Sequence, residues 1–228
     1  MKYLILTAGI LFTLNVTAQT KKRVLKLSGN ISEKYPVKMI LTIQDNEVVG
    51  YYFYEKYKTK ILLTGNIQES KIILNESPDY ESEFKIGFVG ELNEDKFIGN
   101  WIDVTNKKEL AFSSSVYSDQ KIEISDEIKQ LEGNYKSTFN SDNFMGSINL
   151  KHISDNLFCF EVSTATESGC VGDLKGLIEL INLKNGIYSD SLCEKLEISV
   201  ESDLLTIDEE NCDYHGMRCA FYGKYKKE

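Results

Sequence analysis

Two stretches, GYYFY at residues 50–54 and KILLTG at residues 60–65, lie on either side of a short polar segment. Both are rich in aromatic and branched side chains, which favour β-strands. A glycine followed within two residues by an aromatic recurs as GNW at 99–101, GNY at 133–135 and GKY at 223–225. This repeated pattern predicts an all-β protein.

Strand-like segments follow one another from Val24 to Phe112, about eight in all. In residues 37–43 the apolar side chains of Met39, Leu41 and Ile43 occupy every second position. Polar connections such as QDNE at 44–47 are short, as in antiparallel hairpins. The same alternation puts Tyr51 and Phe53 on one strand face and Tyr52 and Tyr54 on the other. Trp101 shares a face with Phe97, so we expect it in the core.

The middle of the chain predicts a boundary between two domains. Residues 113–124 are polar and indicate a linker. Ser125 can cap a short helix at 126–131, whose first turn carries two acidic residues, and Gly133 ends it. The division is a signal peptide at 1–18, an N-terminal β domain at 19–118, a linker with a short helix at 119–132, and a C-terminal β domain at 133–228.

The C-terminal domain repeats the pattern with about eight further strands. Its first and last strands carry the matching GNY and GKY motifs, which suggests a sheet that closes on itself. The predicted fold class is therefore all-β, with two antiparallel meander domains that are lipocalin-like barrels or sandwiches, joined by a short helix.

Five cysteines lie in the second half, at positions 159, 170, 193, 212 and 219. In a meander, alternate connections lie at the same end of the sheet, and this brings Cys170, Cys193, Cys212 and Cys219 to one rim. A two-residue turn at 202–203 sets Cys193 opposite Cys212, which leaves Cys170 to pair with Cys219. The alternative is Cys212 with Cys219 and Cys170 with Cys193. Cys159 lies in mid-strand, and we expect a buried free thiol of low reactivity.

The N-terminus has the pattern of an export signal. Lys2 precedes an apolar run at 3–14 that is too short to span a bilayer, and VTA at 16–18 fits a cleavage site. We expect cleavage after Ala18, a periplasmic or secreted location, and no membrane span in the mature chain. Disulfides form in such compartments.

Charge and composition restrict the function. The net charge is −9 and becomes −10 without residues 1–18, where Lys2 is the only charged residue. A negative net charge of this size disfavours binding to nucleic acid and favours binding to basic partners or cations. Two histidines and no CxxC pair argue against a metal site, and no motif implies a cofactor. His215 is the one candidate catalytic base, but no GxSxG nucleophile motif accompanies it.

Two sets of motifs resemble known exported proteins. The C-terminal domain reads Cys170-x-Gly172, Cys193, Cys212-x-Tyr214-x-Gly216 and Phe221-x-Gly223-x-Tyr225. It is similar to a cysteine- and glycine-marked β domain of exported bacterial proteins, some of them linked to periplasmic lysozyme inhibitors. This chain has His215-Gly216 where such sequences often have Cys-Gly. The N-terminal domain, with Gly50-x-Tyr52 and Gly99-x-Trp101, resembles a module of exported Bacteroidetes proteins.

The resulting hypothesis is a non-enzymatic binding protein, an inhibitor of a basic cell-wall hydrolase such as lysozyme. The predicted contact residues are Tyr214, His215 and Arg218, on the rim that carries the cysteines. Acidic residues on or beside the same connections are Glu167, Asp190, Glu194, Glu210 and Asp213. The alternatives are a carrier that holds a small ligand inside a barrel, and a hydrolase that acts on the cell wall.

Overall fold

The computed structural model describes residues 21–76, 84–139 and 143–228, and the predicted signal peptide and its cleavage site lie outside these ranges. The described chain is almost entirely β-structure, as predicted. Its first eight strands are β1 Lys21–Ile31, β2 Tyr35–Gln44, β3 Glu47–Tyr54, β4 Ile61–Gln68, β5 Lys71–Asn75, β6 Ile86–Leu92, β7 Lys96–Asp103 and β8 Lys108–Glu123.

These eight strands form a closed antiparallel barrel. Each strand pairs with the next, and β1 also pairs with β8 over its whole length. Aromatic side chains fill the interior, where Phe88 contacts Tyr52 and Phe112 edge to face at ring-centroid distances of 5.1 and 4.8 Å. Trp101 packs against this core, as predicted, and its indole Nε1 donates to Glu76 Oε1 at 2.6 Å.

The prediction of a polar linker at 113–124 is wrong. Residues 113–123 belong to β8, which pairs with both β7 and β1 and completes the barrel. Ser114 lies opposite Gly29 of β1 and is buried. A Cβ atom at Gly29 would come within 2.2 Å of the Ser113 carbonyl oxygen, so the two strands approach closely where both residues are small. This strand has serines at a tight contact and polar residues on its outer face. It therefore lacks the apolar alternation by which the other strands were predicted.

A short helix separates the two sheets, as predicted. Helix α1, Asp126–Leu131, begins after Ser125, whose side chain accepts a hydrogen bond from the Ile128 backbone N–H. The acidic residues of its first turn complement the helix dipole. No helix in the described part of the chain is long and apolar enough to cross a membrane.

The second set of eight strands forms a barrel-like antiparallel sheet. The strands are β9 Gly133–Ser137, β10 Met145–Ser154, β11 Leu157–Ala165, β12 Val171–Glu179, β13 Asn185–Tyr188, β14 Cys193–Glu201, β15 Leu204–Cys212 and β16 Gly223–Lys227. Strands β9 and β16, which carry the matching motifs, are hydrogen-bonded neighbours, as predicted. The turn at 202–203 and the facing positions of Cys193 and Cys212 are also confirmed.

The second sheet has a seam between β12 and β13, the two ends of its strand order. Side-chain packing rather than a strand ladder joins them. A Cβ atom at Gly176 of β12 would lie 2.6 Å from rings of Phe160 and Tyr188, so a side chain at Gly176 would separate the two edges. Inside, a continuous apolar core includes Tyr135, Phe158, Phe160 and Tyr225.

The outer face of β3 and β4 packs against the second domain. Tyr52 points into the first barrel, whereas Tyr51 and Phe53 point outward, so the predicted division of the aromatics is confirmed. The outward face joins β10 and β11 in a shared apolar cluster whose buried members are Val49, Tyr51, Leu62, Ile153, Leu157 and Cys159. The two domains therefore bury apolar surface against each other.

Buried polar contacts cross the same interface. The Lys22 ammonium forms an ion pair with Glu132 and also donates to the His152 carbonyl oxygen at 3.3 Å. Glu132 Oε1 accepts the His152 backbone N–H at 2.7 Å. The Thr42 hydroxyl donates to the Ile153 carbonyl oxygen at 2.6 Å. These contacts fix β1 and β2 of the barrel to the start of the second domain.

Candidate functional site

Four cysteines meet at one end of the second sheet, as predicted. Cys193 is disulfide-bonded to Cys212, and Cys170 to Cys219, which is the pairing that the strand register favoured. Cys159 is buried and free, and burial raises the pKa of its thiol to about 12. We call residues 213–222, which connect β15 to β16, the rim loop, and the rim is this loop together with the connections 166–170 and 189–192.

The rim loop crosses the end of the sheet from β15 to the free edge of β12. His215 forms a β-bridge with Gly172, and the Asp173 N–H donates to the Tyr214 carbonyl oxygen at 3.2 Å. The Cys170–Cys219 disulfide adds a covalent link on the same side. Phe221 is fully buried in the core. The loop is therefore bound to the edge strand β12 by backbone contacts and a disulfide, and the buried Phe221 side chain fixes it to the core.

Tyr214 is part of a hydrogen-bond cluster centred on Asp190. The hydroxyls of Tyr214 and Tyr188 each donate to Asp190 Oδ2 at 2.6 Å. Asp190 Oδ1 accepts the backbone N–H groups of Leu192 and Cys193. Burial acts to raise the pKa of the Asp190 carboxyl, but these four donors outweigh it and hold the pKa below its ordinary value. The carboxylate thus ties the rim loop to the connection at 189–192.

His215 lies mostly beneath the rim. Its Nε2 is 3.1 Å from Glu209 Oε1, and the two side chains are only 12% and 7% exposed. Its ring packs edge-on against Phe221, and its Nδ1 is 3.0 Å from the Gly216 carbonyl oxygen. These described neighbours are a carboxylate, a carbonyl and a phenyl ring. They provide no nucleophile for the imidazole to activate, and they make His215 an anchor of the loop.

Arg218 is exposed, in contrast to Tyr214 and His215. It sits beside Met217 in a tight turn that is closed by the Cys219 N–H donating to the Gly216 carbonyl oxygen at 3.1 Å. Met217 is fully exposed, and Tyr222 is 68% exposed on the same loop. The structure thus separates the three predicted contact residues into two that hold the loop and one that faces solvent.

The sequence analysis missed three exposed apolar residues at the rim: Leu192, Met217 and Tyr222. A signal for Met217 was present, because an apolar side chain between a glycine and an arginine, inside a short loop bounded by cysteines, has no core to enter. The position of Leu192 beside this loop depends on a long-range contact, in which the Asp213 N–H donates to the Leu192 carbonyl oxygen at 2.7 Å.

Acidic side chains lie on the same connections as these apolar residues or beside them. Exposed carboxylates on the rim or next to it are Glu167, Glu194, Glu210 and Asp213. Glu210 is 3.6 Å from Lys195, and Glu194 accepts a hydrogen bond from Asn211. The rim therefore carries both exposed apolar side chains and exposed carboxylates.

Comparison with known proteins identified no related protein. The chain matches no protein-family model, and neither the curated proteins nor the solved structures contain a match. Among the described residues, no three His, Cys, Asp or Glu side chains are grouped so that they could hold a metal ion.

Proposed function

We propose that this chain is an exported, non-enzymatic binding protein that contacts a basic protein partner through the rim of its second domain. A cell-wall hydrolase such as a lysozyme is the partner class that fits the charge and the predicted export. The observation that carries this proposal is the exposure of Met217 and Tyr222 on a loop that the Cys170–Cys219 disulfide links to the start of β12 and that follows directly after the Cys193–Cys212 disulfide.

Exposed apolar groups on a rigid loop favour binding. Protein interfaces combine apolar and polar groups, and the rim carries exposed Met217, Tyr222 and Leu192 together with exposed carboxylates. A loop that is fixed before binding loses little conformational entropy when the partner arrives. The anchoring roles of Tyr214 and His215 support this by holding the loop in place, so we assign the direct contacts to Met217, Arg218 and Tyr222.

The packing of both barrels gives the carrier alternative less support. The described interiors are filled by large side chains such as Tyr52 and Phe88 in the first barrel and Phe158 and Phe160 in the second. The hydrolase alternative gains no support from His215, for the reasons given above.

Surface plasmon resonance of the mature protein against basic lysozymes tests the proposal. We expect binding that weakens with salt, because electrostatic attraction contributes to association. Met217→Ala and Tyr222→Ala should each weaken binding by about tenfold, as expected for residues at an interface centre. Tyr117→Ala is the matched control, since Tyr117 is 59% exposed but lies on β8 of the first barrel.

Two results would contradict the proposal. One is the absence of binding to every basic lysozyme tried. The other is binding that is equally strong in the wild-type protein and in both rim variants, which would place the contact elsewhere on the molecule.

A further inference from the structure

A cleft of about 750 Å³ opens between the two domains. The β2–β3 hairpin and β4 form one wall, and β10 and β11 form the other. Small-molecule sites commonly have volumes of about 300–1,000 Å³ and occur preferentially at domain interfaces. The size and position of this interdomain cleft are therefore those of a ligand site, and it involves no residue of the rim.

Most charged side chains of the interdomain cleft are already paired. The ion pairs are Lys22 with Glu132, Lys151 with Glu47 at 2.8 Å, and Glu161 with Lys175 at 2.5 Å. Asp45, on the hairpin turn, is exposed, and no ion pair joins it to another described residue. An anion would find both lysines that line the cleft, Lys22 and Lys151, already paired, and Asp45 would repel it. Among the described residues of the cleft, a cation would find one unpaired carboxylate, Asp45, and an ion pair at such an exposed position contributes little to binding. The electrostatics therefore favour an uncharged ligand.

The hydrogen-bonding capacity that remains comes mainly from amide side chains. Gln44, Asn46 and Asn66 line the cleft, and their side chains form no hydrogen bond with another residue that the structure describes. Asn149 lines the opposite wall, where its Nδ2 donates one hydrogen to Asn134 and keeps a second one for a ligand, whereas its Oδ1 is buried without a partner in the described chain. An amide offers donors and an acceptor on one planar group. Hydroxyl groups also donate and accept, so neighbouring hydroxyls on one ligand match such side chains.

We infer that the interdomain cleft binds a neutral, polyhydroxylated ligand, that is, a saccharide. The site is independent of the rim, and this inference does not rest on the function proposed for the rim. Gln44 and Asn66 on the barrel side and Asn149 on the side of the second domain are the residues that would contact its hydroxyl groups.

A nuclear magnetic resonance titration of the full mature protein tests this inference. The probes are three neutral disaccharides: cellobiose, maltose and N,N′-diacetylchitobiose. At least one should produce saturable shifts in the side-chain amide signals of Gln44, Asn66 and Asn149. The Gln44→Ala/Asn66→Ala double variant should bind it about tenfold more weakly, since two hydrogen bonds are lost. Gln68→Ala is the matched control, because Gln68 is an exposed amide two residues further along β4 and outside the cleft.

Charge provides the second part of the test. Cellobiouronic acid, which carries a carboxylate, and the zwitterion glycylglycine should bind more weakly than the neutral probe. Salt should leave binding of the neutral probe unchanged, in contrast to the binding expected at the rim. The inference is overturned if no neutral disaccharide gives saturable shifts, if the shifts map outside the cleft, if the double variant binds as well as the wild-type protein, or if a charged probe binds more tightly.

Discussion

His152 makes a contact between the two domains through its backbone and is buried, with 2% of its surface exposed. Its ring packs against Phe158 at a centroid distance of 5.2 Å, and its Nε2 lies 2.9 Å from the Asp155 carbonyl oxygen. Burial is the main cause that lowers its pKa, and nearby Lys22 adds to this, whereas Asp155 and Glu132 act in the opposite direction. Folding therefore favours the neutral form of this histidine.

This arrangement predicts a loss of stability in mild acid. As the pH falls below the ordinary histidine pKa of 6.5, the unfolded chain binds a proton before the folded chain does, so the free energy of unfolding decreases. Urea unfolding at pH 7.5 and pH 5.5 measures the loss, and we expect His152→Gln to lose less between these two values than the wild-type protein. An equal loss in both proteins would assign the acid sensitivity to other groups.

The two disulfides at the rim join different kinds of element in the second domain. The Cys170–Cys219 disulfide spans 49 positions and joins the rim loop to the edge strand β12, whereas Cys193–Cys212 spans 19 positions between neighbouring strands. The first bridge ties the free edge of β12 to the rim loop, where one isolated β-bridge and one backbone hydrogen bond also join them. The second repeats a restraint that the β14–β15 pairing already supplies.

Removal of the two disulfides should therefore have unequal effects. From the restriction of the unfolded chain alone, Cys170→Ser/Cys219→Ser should cost about 4 kcal/mol and Cys193→Ser/Cys212→Ser about 3 kcal/mol. Equilibrium urea unfolding of both double variants at pH 7.5 measures the difference, and non-reducing peptide mapping of the wild-type protein verifies the pairing. A larger loss from the second pair would show that restriction of the unfolded chain does not set the order.

At the scale of the whole molecule, the two domains share an apolar interface that the sequence analysis did not foresee. If the two halves are separated at the predicted boundary, a fragment of residues 125–228 would expose Ile153 and Leu157. Such a fragment would also leave Glu132 without the Lys22 ammonium.

We expect the fragment of residues 125–228 to unfold cooperatively in oxidising buffer, but at a lower temperature than the full mature chain. Differential scanning calorimetry of both proteins is the measurement. A transition at the same temperature would mean that the interface adds no stability to the second domain. The absence of any cooperative transition would mean that this half requires the first barrel in order to fold.

Export is the other prediction at this scale. Cleavage after Ala18 would leave Gln19 as the first residue, two positions before β1 begins at Lys21. The intact mass of protein exported from a bacterial host should correspond to residues 19–228, and N-terminal sequencing should begin at Gln19. Exported protein that retains Met1 would rule out this processing.

The amino-acid sequence by itself determined the features that depend on local pattern. Alternation of apolar residues predicted the strands, the serine and acidic residues at 125–127 predicted helix α1, and the turn at 202–203 set the register that pairs Cys193 with Cys212. Each of these depends on residues that are close in the chain, where hydrogen bonding and side-chain direction follow from the local backbone.

Only the tertiary structure decided the features that depend on distant residues. Residues 113–123 form a strand because β1, about ninety residues earlier, offers an unpaired edge. The Tyr214 hydroxyl donates to Asp190 and the His215 ring lies against Glu209, so distant residues hold both side chains in the rim. The buried Lys22 forms an ion pair with Glu132, which is 110 positions away in the sequence. An outward apolar face such as that of Tyr51 looks the same in the sequence whether it meets solvent, a ligand or a second domain. What covers it depends on how the whole chain packs, because burial of apolar surface has no preferred partner in sequence.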